Sequence, residues 1–116
     1  MCFSDKPSAP QNLRVTAVNK DSVWLAWDEP DQDGGAPIKR YMVQKADVKS
    51  GIVSDAGDTS ADTTQLKVIK LLEGTDYMFR VAAENEIGEG KQASLAEPVT
   101  TCLPFGKLHS QLQKII

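Results

Sequence analysis

Residues 28–37 carry the densest chemistry in this chain. Asp28, Glu29, Asp31 and Asp33 lie there with two prolines and two glycines. Oxygen-rich loops bind calcium when their ligands alternate and a glutamate closes the loop. Counted from Asp31, the fifth position is Gly35 and the twelfth is Met42, so that pattern fails. No metal site or cofactor is expected, and the loop reads as a solvated acidic surface. Catalysis fares no better. His109 is the single histidine, in the tail, and nucleophilic triads need a histidine held by a rigid scaffold. Cys2 and Cys102 stand near opposite ends, outside any expected strand pair, and read as free surface thiols, with a disulfide joining the termini as the alternative. Catalytic residues are therefore expected to be none. A net charge of −3 argues against phosphate-driven nucleic-acid binding. No stretch approaches transmembrane length, and residues 1–6 lack the apolar segment of a secretory signal. No membrane partner is expected.

The elements that must position this loop are strands. Tyr77, Phe79, Val81 and Ala83 fall on every second position, the period of a strand with one buried face. Glu73-Gly74-Thr75-Asp76 before them and Gly88 and Gly90 after them are turn chemistry. Val23, Leu25 and Trp27 share one face of an earlier strand, and Trp24 and Ala26 share the other. Leu13, Val15 and Ala17 alternate with polar neighbours and predict a first strand; Tyr41 and Val43, facing inward, predict a third, Leu66 and Val68, also inward, another, and residues 93–101 the last. Leu71 closes a corner before Tyr77. Residues 46–63 are polar, with a short edge strand at Ile52 and Val53. Seven short strands without intervening helices predict an all-β, antiparallel, immunoglobulin-like sandwich. The expected core comprises Trp27, Tyr41, Leu66, Leu71, Tyr77, Phe79 and Val81, with Trp27 and Leu66 fully buried. Residues 1–6 read as a disordered lead-in, 7–102 as the domain and 103–116 as a tail or linker. Leu108, Leu112, Ile115 and Ile116 would share one face if that tail were helical.

Val23-x-Leu25-x-Trp27-x-x-Pro30, Tyr41-x-Val43 and Leu71-x-x-Gly74-x-x-Tyr77-x-Phe79-x-Val81 together resemble a fibronectin type III domain over residues 7–101. The resemblance implies that the Tyr77 hydroxyl caps the corner backbone, with Leu71 packed beneath it. The stretches 27–38 and 77–88, and Pro98-Val-Thr-Thr followed by Pro104-Phe105, are similar to modules of the giant muscle proteins, including titin, twitchin, myosin-binding protein C and myomesin. Two features depart from that narrower pattern: residues 46–63 hold no tryptophan, and the chain after Phe105 does not continue into a recognisable next module.

The resemblance further implies a non-catalytic structural and protein-binding module, cytoplasmic and sarcomeric, monomeric in isolation. Its implied neighbours are immunoglobulin and fibronectin type III domains, with myosin and other thick-filament proteins as candidate partners. The alternative is a module from the extracellular part of a receptor or adhesion protein; the Arg-Gly-Asp sequence of integrin-binding relatives is absent. In such a sandwich the loop at 28–37 and the hairpin at 84–90 share one pole. Asp28, Glu29, Asp31 and Asp33 would then stand beside Glu84, Glu86 and Glu89. Asp31, Asp33, Glu86 and Glu89 are candidate binding residues for a basic partner. Trp24 is a fifth candidate, outward-facing and expected to stack with Arg80.

Overall fold

The computed structural model describes residues 5–102. It consists of β1 (Gln11–Val18), β2 (Val23–Asp28), β3 (Arg40–Asp47), β4 (Val53–Ser60), β5 (Gln65–Val68), β6 (Asp76–Glu84), β7 (Glu89–Ser94) and β8 (Val99–Thr100). One sheet has the order β1-β2-β5. The other runs β4-β3-β6-β7, with β8 also on β6. All described pairs are antiparallel. The expected sandwich is therefore present, with two differences in its strands. The edge strand foreseen at Ile52 and Val53 extends over eight residues and pairs along β3. The last strand starts earlier, at Glu89, and is broken before Pro98, which has no amide hydrogen to continue the ladder.

The core is where the period-two pattern put it. Val23, Leu25 and Trp27 from β2 face Tyr41, Val43, Phe79, Val81 and Ala83 across the sandwich, closed at one end by Leu71 and Tyr77. Leu66 is an exception to the expected set: it is only half-buried, packed at the rim of the core. β5 has four residues and pairs with β2, which leaves Leu66 near the open side of the smaller sheet. Ala17 is exposed as well. A register shift between Val15 and Ala17 flips the alternation, so Val18 packs against the core instead.

Both ends of the described chain are bonded into the sandwich, at opposite poles. Asp5 and Lys6 belong to the packed structure, two residues ahead of the expected boundary. The Asp5 amide donates to the Gly34 carbonyl at 2.7 Å, the Ser8 amide to Gln32 at 2.9 Å, and the Lys91 amide to Pro7 at 3.3 Å. Pro7 is buried beneath these bonds. This strap lies so close to its neighbours that a Cβ on Gly90 would stand 2.0 Å from the Pro7 carbonyl oxygen, and one on Gly34 2.1 Å from that of Asp5. Glycine is required at both points by space alone. At the other pole Thr101 is fully buried. Its hydroxyl donates to the Leu72 carbonyl and accepts from the Thr75 amide, while its backbone carbonyl accepts from Gly74 at 2.8 Å. The expected cap is here too: the Leu72 amide donates to the Tyr77 hydroxyl at 3.0 Å. The tail, His109 and Cys2 lie outside the described residues; Cys102 is half-buried, with a free thiol.

Replacing Tyr77 by Phe strands the Leu72 amide. The expected loss is about 1–3 kcal/mol in urea-induced unfolding, the cost of an unmade buried bond. An unchanged unfolding midpoint would show that water replaces the hydroxyl.

Candidate functional site

The pole carrying residues 28–37 is organised by Asn85, which is 2% exposed. Its side-chain nitrogen donates to the carbonyl oxygens of Asp5 at 2.6 Å and Asp33 at 2.8 Å. Its side-chain oxygen accepts from the amides of Ile87 and Gly88 at 2.9 and 3.2 Å. One amide group thus holds the strap, the loop after β2 and the hairpin after β6. The hairpin closes through reciprocal backbone bonds between Asn85 and Gly88, which puts Glu86 and Ile87 at its exposed tip. Sequence reasoning passed over Asn85; the available signal was an asparagine three residues before Gly88, a residue pair that favours tight turns.

Of the seven carboxylates expected to form a common acidic pole, two are neutralised. Asp28 accepts from Asn12 at 2.8 Å and pairs with Arg14 at 3.6 Å. Glu84 accepts from Arg40 at 2.8 Å, and Arg40 also reaches Asp58 at 3.2 Å. Glu84's carboxyl is accordingly held below its ordinary value, chiefly by the hydrogen bond from Arg40; burial opposes this, and the charges of Arg40 and Lys39 add to it. Glu89 is exposed, but it is the first residue of β7, opposite Glu84, rather than part of the hairpin tip. Lys6 lies against Gly88, so the hairpin side is mixed in charge.

Three of the remaining five, Glu29, Asp31 and Asp33, border an open cavity of about 900 Å³ together with Asp5. Asp5, Glu29, Asp31, Asp33, Ile38 and Tyr41 are among the residues that line it. One Asp33 carboxylate oxygen accepts from the Gly35 amide at 2.9 Å and shapes the turn. None of these four carboxylates takes part in an ion pair among the described residues. Tyr41 is wholly buried as a residue, edge-on to Trp27 with ring centroids 5.5 Å apart. Among the described residues, neither its hydroxyl nor the Trp27 indole nitrogen has a hydrogen-bond partner. Burial pushes the Tyr41 phenol above its ordinary value, and the negative charge of Glu29 adds to the effect.

Trp24 does not meet Arg80. The two lie on different sheets, β2 and β6, whose outer faces point away from each other. Lys67 on β5 instead places its ammonium 4.9 Å from the Trp24 ring centroid. The register pairs Trp24 with Lys67 directly, so the stack is a cross-strand neighbour contact. Arg80 donates to Gln92 at 3.4 Å, and Gln92 to Gln44 at 3.0 Å, a polar ladder over the larger sheet. Among the described residues no group of three or more His, Cys, Asp or Glu could hold a metal ion.

The family model for the fibronectin type III domain matches residues 8–100. The chain is 40% identical over 103 residues to titin of Drosophila melanogaster, covering 89% of this chain and 1% of that protein. It is 33% identical over 109 residues to slow-type myosin-binding protein C of Homo sapiens, covering 90% of this chain and 9% of that protein. It therefore spans a small fraction of these relatives. A crystal structure of three titin domains superposes with a TM-score of 0.79 at 37% identity, over 85% of this chain and 33% of that one.

The Arg40–Glu84 pair carries a pH signature. Glu84's lowered value means its stabilising contribution is present above the ordinary carboxylate value of 4.5 and disappears as pH falls through the lower folded value. Glu84→Gln should lower the urea midpoint at pH 7, and the gap to the parent should close on acidification. A gap that stays constant into strong acid would assign the effect to something other than this charge.

Proposed function

This chain belongs to the fibronectin type III family, and on that footing we propose that it is a non-catalytic spacer and protein-docking module of a titin-like, intracellular sarcomeric protein. The observation that carries this reading is the attachment of the two chain ends at opposite poles. β6 runs from the corner clasped by Thr101 to the hairpin held by Asn85. Its nine residues span about 30 Å. The chain enters beside Asn85 and leaves beside the corner. Tension between neighbours would therefore pull β1 along β2, and β7 and β8 along β6, loading whole ladders in shear. The muscle relatives support this setting over a cell-surface one, in which the same module would stand outside the cell.

The test is mechanical. Held by its ends in a force clamp, the chain should lengthen in one step of roughly 30 nm, the contour of the described residues less their folded span. Gradual lengthening would overturn the spacer reading.

Docking is the second part of the proposal. Asp31, Asp33 and Glu86 offer charge at one pole, with Glu89 beside it, and Trp24 offers an aromatic surface on the smaller sheet. Immunoglobulin and fibronectin type III neighbours, and thick-filament proteins such as myosin, are the proposed partners. A basic partner would be steered toward the acidic pole. The double reversal Asp31→Lys, Glu86→Lys should weaken binding of a lysine-rich peptide about tenfold at low salt and flatten its salt dependence, read by calorimetry. Equal affinity would remove the acidic pole from the proposal.

A further inference from the structure

We infer that the cavity beneath the loop after β2 is a receptor for a single cationic side chain of a protein partner, with Tyr41, Glu29, Asp31 and Asp33 lining it. This rests on the acidic pole being a docking surface and goes further, naming the seat and the group that enters it.

Two independent observations meet here. The first is charge: Asp5, Glu29, Asp31 and Asp33 border one cavity, and among the described residues none has a cationic partner. The nearby cations do not pair with these carboxylates. Arg40 is held by Glu84 and Asp58, Lys39 lends its charge to Glu84, and Lys6 runs along Gly88 without pairing with any of the four. The second is the Tyr41 hydroxyl. It is buried, it has no hydrogen-bond partner among the described residues, and its residue lines the same cavity. Buried hydroxyls are nearly always bonded, so an orphan one in a residue that lines an open cavity points to a group that arrives from outside. The surrounding charge selects that group. Carboxylates accept hydrogen bonds and attract positive charge, so the occupant brings donors and a positive charge. An ammonium or guanidinium does both, and can donate to the phenol oxygen and a carboxylate together. A bare metal ion suits the site less well, because no three carboxylates of the described residues converge to ligating geometry.

A lysine or arginine at the tip of a partner's loop fits the opening. Its aliphatic stem would lie along Ile38 while its head approaches the buried, unpartnered Tyr41 hydroxyl. The phenol makes the seat selective where the outer carboxylates only attract. Its neighbour Trp27 packs edge-on against the ring, with centroids 5.5 Å apart.

The experiment uses the full chain and a hexalysine peptide as probe, followed by calorimetry and by amide shifts at Ile38, Tyr41 and Ala61. Wild type, Tyr41→Phe and the Asp31→Lys, Glu86→Lys double variant are compared. Tyr41→Phe leaves every surface charge in place. The expected result is saturable binding with shifts at those amides, weakened five- to tenfold in Tyr41→Phe, whose thermal midpoint is no lower than that of wild type. If Tyr41→Phe binds like wild type while the double variant does not, the seat is overturned and the acidic pole stands. If both variants bind like wild type, both readings fall. A lower thermal midpoint for Tyr41→Phe would assign the hydroxyl to an internal water and overturn the seat. Saturable calcium-induced shifts at the same amides, lost in Tyr41→Phe while hexalysine binding persists, would make it a metal site and overturn it as well.

Discussion

A single buried amide decides how one end of this molecule is built. Asn85 spends both donors on the carbonyls of Asp5 and Asp33 and its acceptor on the amides of Ile87 and Gly88. Three segments remote in the chain share that one group. Asn85 itself is buried, so losing these bonds would strand its own amide, which is costly. The hydrogen-bond geometry therefore holds the entering chain, the acidic loop and the hairpin as one unit. Whatever the pole presents to a partner, its shape is inherited from Asn85.

The opposite pole solves the same problem with hydroxyls. Tyr77 and Thr101 between them satisfy the amides of Leu72 and Thr75 and the carbonyl of Leu72. The corner that starts β6 is consequently rigid, and the end of β8 is bound to it. Between the poles, Trp27 stacks edge-on with Tyr41 near the loop, while Tyr77 and Phe79 pair at 6.1 Å toward the corner. The aromatic core is thus split into two clusters, one under each pole, with valines and Leu25 between them. A module tied off at both ends and filled with apolar side chains is suited to transmitting tension, which the muscle relatives make relevant.

At the acidic pole, charge counting and charge placement differ. Seven carboxylates lie in the right stretches of sequence, yet Asp28 and Glu84 are drawn aside by Arg14 and Arg40. Both arginines sit on strands, and their partners are across a ladder rather than along the chain. Lys6 then offsets the hairpin side. What remains is a smaller concentration of exposed negative charge, with Glu29, Asp31 and Asp33 bordering an open cavity and Glu86 and Glu89 on the hairpin side.

The fold was legible in the sequence because its cause is local. Alternation along Tyr77–Ala83 and Val23–Trp27, glycine-bearing turns and the Leu71, Gly74, Tyr77 spacing determine strands, faces and the capped corner without knowledge of neighbours. Sequence patterns misled where the outcome depended on pairing. Ala17 turned outward because of a register shift, Leu66 stayed half-exposed because β5 is a short edge strand, and Trp24 took Lys67 rather than Arg80 because the two sheets face away from each other. Nor could the candidate site be read that way. Its carboxylates were visible in the loop, but Tyr41 looked like ordinary core, and only the closing of the sandwich leaves its hydroxyl unpartnered in a residue that lines a cavity. Periodicity states which side of a strand is buried; what a buried atom meets there is a property of the assembled tertiary structure.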